Sequence, residues 1–176
     1  MHPRSSLFLT GATVCIVMAA CGPQRVATTA ADPAHDHDAM LHDSAFAGLQ
    51  QRGQLAMGVD QYTSTHVFDA LPDGGRIELQ RAVQDTAGVE EIRNHLREIA
   101  AAFQRGDFAV PGFVHAGEVP GTRIMASRRD RISYTFRPLP AGGEVLISTT
   151  DPQALEAIRA FMQFQREQHR SGGRAR

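Results

Sequence analysis

The chain has 176 residues, with 18 basic against 19 acidic side chains and 42% hydrophobic residues. Every basic residue is arginine, which excludes a Schiff-base lysine, a P-loop lysine and a lysine general base. A formal net charge of −1 is far from the concentrated basic surface that phosphate backbones require, so nucleic acid is not an expected partner.

Residues 1–20 have the form of an export signal. Arg4 gives a short positive region, and Leu7 to Ala20 is uncharged, largely apolar and short for a membrane span. The run closes on Val17-Met18-Ala19-Ala20-Cys21, which resembles a bacterial lipobox. That resemblance implies cleavage before Cys21 and lipidation of it, and Gly22 at the next position implies release to the outer membrane. Cys15 would leave with the signal, so the exported domain would hold no thiol. Any metal there must use histidine, methionine, carboxylate or backbone oxygen.

Residues 21–55 lack sustained periodicity and read as a flexible tether. Within it, His35, His37, Met40 and His42 alternate with Asp36, Asp38 and Asp43. Such a tract suits capture of a soft or borderline metal, and its bland alternative is a solvated acidic spacer.

Residues 56–170 read as one domain built from an internal repeat, with 171–176 a disordered tail. The run from His66 to Leu79 overlays that from Tyr134 to Ile147 at an offset of 68, keeping the Phe, Leu-Pro and Gly-Gly positions. Glu91-Ile92-Arg93 then falls on Ala157-Ile158-Arg159 at an offset of 66. The first copy predicts strands at Thr63–Ala70 and Arg76–Val83, joined through a Pro72 to Gly75 turn. A helix capped by Asp85 or Thr86 should run to about Arg105, burying Ile92, Leu96, Ile99 and Phe103, with Gly106 as its stop. Asp107 to Gly121, rich in glycine and proline, reads as an extended connector, and Arg123 to Arg131 as a short helix or turn. The second copy predicts strands near Ile132–Arg137 and Glu144–Thr149. A helix opened by Asp151-Pro152 follows, carrying Leu155, Ile158, Met162 and then Gln165 or His169. The expected fold is an α+β two-layer sandwich: two ββα repeats pool four strands into one antiparallel sheet, with both helices on one face.

Where the copies differ, packing alone does not dictate the residue. His66 answers to Tyr134 and His95 to Phe161, yet both histidines share the parity of core positions. Buried imidazoles are costly unless bonded. His115 and Met125 lie in the connecting region, and Met57 precedes the first strand. Imidazole with thioether and no thiolate best suits copper, and the same set could supply axial ligands to a haem.

The segments Met57-Gly58-Val59-Asp60-Gln61, Thr65-His66-Val67-Phe68, His95-Leu96-Arg97-Glu98-Ile99-Ala100, Gly106-Asp107-Phe108, His115 and Val119-Pro120-Gly121 through Met125 resemble an uncharacterised bacterial family. Its members are small exported or stand-alone domains, sometimes labelled aspartate carbamoyltransferase. The resemblance spans about residues 56–170. The chain has neither the Ser-Thr-Arg-Thr phosphate loop nor the lysine that such an enzyme uses. No Gly-x-Ser-x-Gly, His-Glu-x-x-His or nucleotide loop is present, and no catalytic residue is assigned. An acid–base pair of Asp60 with His66 or His115 is an ordinary coincidence of globular domains. Arg128-Arg129-Asp130-Arg131 reads first as a solvated, salt-bridged face.

The expected protein is therefore periplasmic, anchored through Cys21 to the outer membrane. It should bind a metal ion, copper before haem, through His66, His95, His115 and Met125, with Met57 auxiliary and the tract of His35, His37, Met40 and His42 as a capture arm. Its expected partners are the membrane and the ion, with a homodimer left open. A small-molecule-binding or enzymatic domain is the second reading, and a structural lipoprotein the third.

Overall fold

Each half of the domain begins as a hairpin with a two-residue loop. Strands β1 (Ser64–Leu71) and β2 (Gly74–Arg81) meet across Pro72-Asp73, and β3 (Ile132–Leu139) and β4 (Gly142–Thr149) across Pro140-Ala141. This computed structural model describes residues 33–58 and 62–171, with residues 33–43 as backbone only. The export signal, Cys21, Asp60 and the residues after 171 lie outside the described residues. No described helix is long and apolar enough to cross a membrane.

The strands form one antiparallel sheet in the order β1-β2-β4-β3. Alternation does what period-two patterning predicts: Phe68, Ile77, Leu79, Val145 and Ile147 turn to one face and are buried. Helix α2 (Thr86–Gln104) starts where the Asp85 carboxylate accepts from the Gly88 amide at 3.0 Å and stops at Gly106, whose φ is +79°. Helix α5 (Pro152–Gln168) starts where Asp151 accepts from Gln153 and Ala154, with Pro152 in the first turn. Both helices pack on the same apolar face, sharing one core with it. This is the α+β sandwich expected from the sequence.

The helices exchange partners between the halves. Helix α2 follows the first hairpin yet lies mainly over β3 and β4. Its Arg93 donates to the carbonyls of Leu139 and Gly142, and Phe103 packs edge-on against Tyr134. Helix α5 follows the second hairpin yet lies over β1 and β2, where Arg166 donates to the Phe68 carbonyl. Each hairpin is thus covered mainly by the helix of the other half, and the two halves share one core.

The Gly-Gly pairs sit inside strands rather than in the turns. A Cβ at Gly74 would lie 1.9 Å from the Ile147 carbonyl oxygen, and one at Gly142 2.0 Å from that of Leu79. Gly75 leaves room for Met162 and Ile158 of α5, and Gly143 for Leu96 of α2. The glycines thus serve the close approach of β2 to β4 and of the helices to the sheet.

Three other segments differ from the sequence reading. Residues 33–57, read as mostly tether, form helix α1 (Pro33–Met57). The connector is not extended throughout, because α3 (Ala109–Val114) forms where Asp107 accepts from the Ala109 amide at 2.9 Å. Helix α4 (Thr122–Ser127) and a single 3-10 turn at Arg129–Arg131 then lead into β3. Arg128 pairs with the capping Asp151 and with Gln153, which makes the arginine cluster part of a salt-bridged surface. On α5 the buried stripe runs through Ala154, Ala157, Ile158, Phe161 and Gln165, leaving Leu155 only partly covered.

Gly142→Ala should therefore lower the unfolding free energy by about 1–3 kcal/mol, the usual cost of forcing atoms into a packed site. Gly112→Ala, whose new Cβ would meet nothing nearer than 3.6 Å, should change stability by less than about 1 kcal/mol, and upward. Urea denaturation of both variants checks this; equal losses would count against the close-approach explanation.

Candidate functional site

The exchange of helices brings the end of α5 over β1, and there the core stops being hydrocarbon. His66 on β1 faces inward beside Phe68, and His169, which caps the C-terminus of α5, lies over both. The His66 and His169 ring centres are 5.6 Å apart. His115, which ends α3, stands 5.2 Å from His169 on another side. His95 projects from the buried stripe of α2, and Met57 from the last turn of α1.

All four histidines and Met57 line one cavity of about 50 Å³. The rest of its wall is apolar, including Phe68, Leu79, Leu96, Phe103 and Phe161, with Gln165 as the other polar residue. Among the described residues no carboxylate lines it. Helix α1 is tied to the far wall by Arg52, whose Nε donates to the Val114 carbonyl at 2.8 Å.

Burial sets the charge of the imidazoles. His66 and His95 are pushed down to about 4, each mainly by loss of water. A hydrogen bond to Ser64 partly opposes this at His66, and the neighbouring His66 adds to it at His95. His169 is pushed down to about 3 by burial and by the adjacent His66 and His115. His115 is also lowered, by burial first; its bond to Gln165 opposes the shift and the Arg52 charge reinforces it. At neutral pH all four rings are uncharged and can offer lone pairs.

Two of those rings have a nitrogen without a hydrogen-bond partner. His66 Nδ1 lies 3.5 Å from Ser64 Oγ, while its Nε2 is buried and unpartnered. His115 Nε2 lies 3.0 Å from Gln165 Oε1, while its Nδ1 is buried and unpartnered. Such atoms are uncommon in folded proteins; among the described residues Gln50 Nε2, Arg76 Nε, Tyr134 Oη and Ser171 Oγ share this state, and only the two histidine nitrogens belong to residues of this cavity. The backbone is also strained beside two of the histidines. Ala116, following His115, has φ +53°, and Arg170, following His169, has φ +48°; no other described non-glycine residue has positive φ. The residue after each ring thus closes its helix in a left-handed conformation that ordinarily falls to glycine.

Of the residues expected from sequence, His66, His95, His115 and Met57 reach the cavity and Met125 does not. Gly121, with φ +84° and packed against the Ala157 carbonyl, turns α4 so that Met125 enters the main core and is fully buried there. His35, His37, Met40 and His42 fall on the backbone of α1, outside the residues whose side chains are described, and Asp60 is also outside the described residues.

His169 is the residue the sequence reading left at the margin. At the offset of 66 it answers to Phe103, as His95 answers to Phe161 and Gln165 to Ile99. Phe103 meets Tyr134 edge-on at 5.7 Å between ring centres, while His169 stacks on His66 at 5.6 Å. One end of the core carries phenylalanine rings and the Tyr134 phenol where the other carries imidazole.

Among the described residues, no three His, Cys, Asp or Glu side chains stand close enough to hold a metal ion as placed. The His66 and His169 rings are stacked with their planes 14° apart, so their in-plane lone pairs do not point at a common atom, whereas the His115 ring stands nearly perpendicular to His169.

Depressed histidines make stability depend on acid. Each folded-state pKa lies below the ordinary value of about 6.5, so the unfolded chain takes up protons first. Stability should fall as pH drops below about 6.5, by up to about 1.4 kcal/mol per pH unit for each of His66, His95 and His169, and the loss should level off near pH 4 for His66 and His95 and near pH 3 for His169. His169→Phe should make that slope shallower by about one proton; urea titrations from pH 7 to pH 4.5 with an unchanged slope would contradict the burial of a neutral His169. No family model, curated protein or solved structure matches the chain, so its function has to be argued from the chemistry of these side chains.

Proposed function

We propose that the protein is a lipid-anchored periplasmic copper-binding protein that holds Cu(I) among His66, His115 and His169, with His95 and Met57 completing the shell. The observation that carries this reading is the lining of one apolar cavity by four neutral imidazoles and a thioether, with no carboxylate among the described residues. Hard cations such as Ca²⁺ and Mg²⁺ want several oxygen ligands, and among the described side chains of this wall only the Gln165 carboxamide offers one. Nitrogen with thioether sulfur suits a soft d¹⁰ ion, and Cu(I) accepts as few as two or three ligands. Ring centres 5.2 and 5.6 Å apart bring the imidazoles within reach of one ion, which would require the stacked His66 and His169 rings to turn toward each other.

Haem is the weaker alternative. Pockets for ligands of even drug size usually enclose about 300–1,000 Å³, whereas this cavity is about 50 Å³. Export and lipidation at Cys21 would put the site where copper arrives from outside the cell. The role that fits is metal handling or tolerance, with the tract on α1 feeding the cavity.

Competition titration of the full chain with Cu(I) should give one tightly held ion per chain. That ion should persist when His35, His37 and His42 are all replaced by alanine. It should weaken at least tenfold in His66→Phe and in His169→Phe, and less in Met57→Leu. Binding that disappears with the tract alone would confine the metal chemistry to α1, and a haem Soret band on reconstitution would favour the alternative. Cys21→Ser should move the protein from the outer-membrane fraction to soluble periplasm, which cell fractionation reads directly.

A further inference from the structure

Resting on the metal reading above, we infer that Gln165 is a positioning residue that selects the nitrogen with which His115 meets the ion. Gln165 is 4% exposed, lies on the buried stripe of α5 and lines the cavity. The corresponding position of α2 is Ile99, so a helix packed on this sheet does not itself require an amide there. A buried carboxamide is costly unless it bonds to something, and its oxygen lies 3.0 Å from His115 Nε2.

A neutral imidazole has one N–H and one lone pair. The Gln165 oxygen can only accept, so Nε2 carries the proton and donates. That leaves the lone pair on His115 Nδ1, the atom that is buried without a hydrogen-bond partner. The two rings flanking His169 therefore approach the cavity differently: His66 through Nε2 and His115 through Nδ1. Metal-bound histidines commonly have their second nitrogen held in this way, which fixes tautomer and ring orientation before the ion arrives. Gln165 is also fixed relative to the ring between them, since its carbonyl accepts from the His169 amide at 2.9 Å.

The test reads the tautomer first and copper second. In long-range ¹H–¹⁵N spectra of the metal-free full chain, His115 should show a protonated Nε2 and a pyridine-like Nδ1. A proton on Nδ1 overturns the assignment. Cu(I) competition should then show Gln165→Leu about 10–100-fold weaker than the parent chain, the usual effect of removing a group that holds a ligand. Gln165→Glu keeps an acceptor at the same reach and should stay within about threefold. An undiminished affinity in Gln165→Leu overturns the positioning role, as does loss of the Nε2 proton in Gln165→Glu. A chain with the expected tautomer that takes up no Cu(I) removes the metal while leaving the hold of Gln165 on His115 intact.

Discussion

The enclosure of three buried imidazoles and a half-buried fourth behind an otherwise mostly apolar wall is the constraint around which this domain is arranged. A ring that cannot be hydrated resists protonation, and each added imidazole makes a charge on its neighbour less favourable. The cluster is therefore neutral as a group. Neutrality makes the rings donors of lone pairs, and burial removes the water that would otherwise satisfy them. A folded chain ordinarily avoids this combination, because filling the same positions with aromatic carbon avoids the desolvation. The opposite end of the core does so in part, with Phe103 and Phe161, although Tyr134 there keeps a buried hydroxyl.

The helix exchange is what allows one end of the core to differ from the other. Because α5 covers the first hairpin, the residues facing β1 come from the end of the chain, more than a hundred positions away from His66. Because α2 covers the second hairpin, His95 enters the cavity from its flank. The linking segment that must span from α2 to β3 brings His115 in at the end of α3. A cavity assembled from β1, α2, α3, α5 and α1 cannot exist in a partly folded chain. Its lining residues come together only when both hairpins have paired through β2 and β4.

The regular elements were legible in the sequence because their signals are local. The Ile77-Leu79 alternation, the caps at Asp85 and Asp151 and the stop at Gly106 each depend on neighbours within a turn or two. His66 and His95 were legible as exceptions to the apolar pattern, His115 as an imidazole in the glycine-rich connector, and Met57 by its place before the first strand. The Gly-Gly pairs misled because a glycine pair beside a proline looks like a turn, while its cause, the approach of β4 and of the helices, is tertiary. Helix α1 was hidden because its sequence has almost no apolar periodicity to announce a buried face. His169 lies past the last helical residue, where a ring reads as a frayed terminus unless the offset to Phe103 is followed through. Met125 was misplaced for the same kind of reason: the turn at Gly121 redirects α4, and no spacing rule records it.

Burial gives the cluster a resistance to acid that an imidazole of ordinary basicity lacks. An imidazole near its usual value of about 6.5 is largely protonated once the medium turns mildly acidic, and its lone pair is then occupied. His66 and His95, held near 4, stay neutral across that range. This follows from desolvation alone, without a change of fold, because the same burial that makes the rings expensive to enclose makes them hard to protonate.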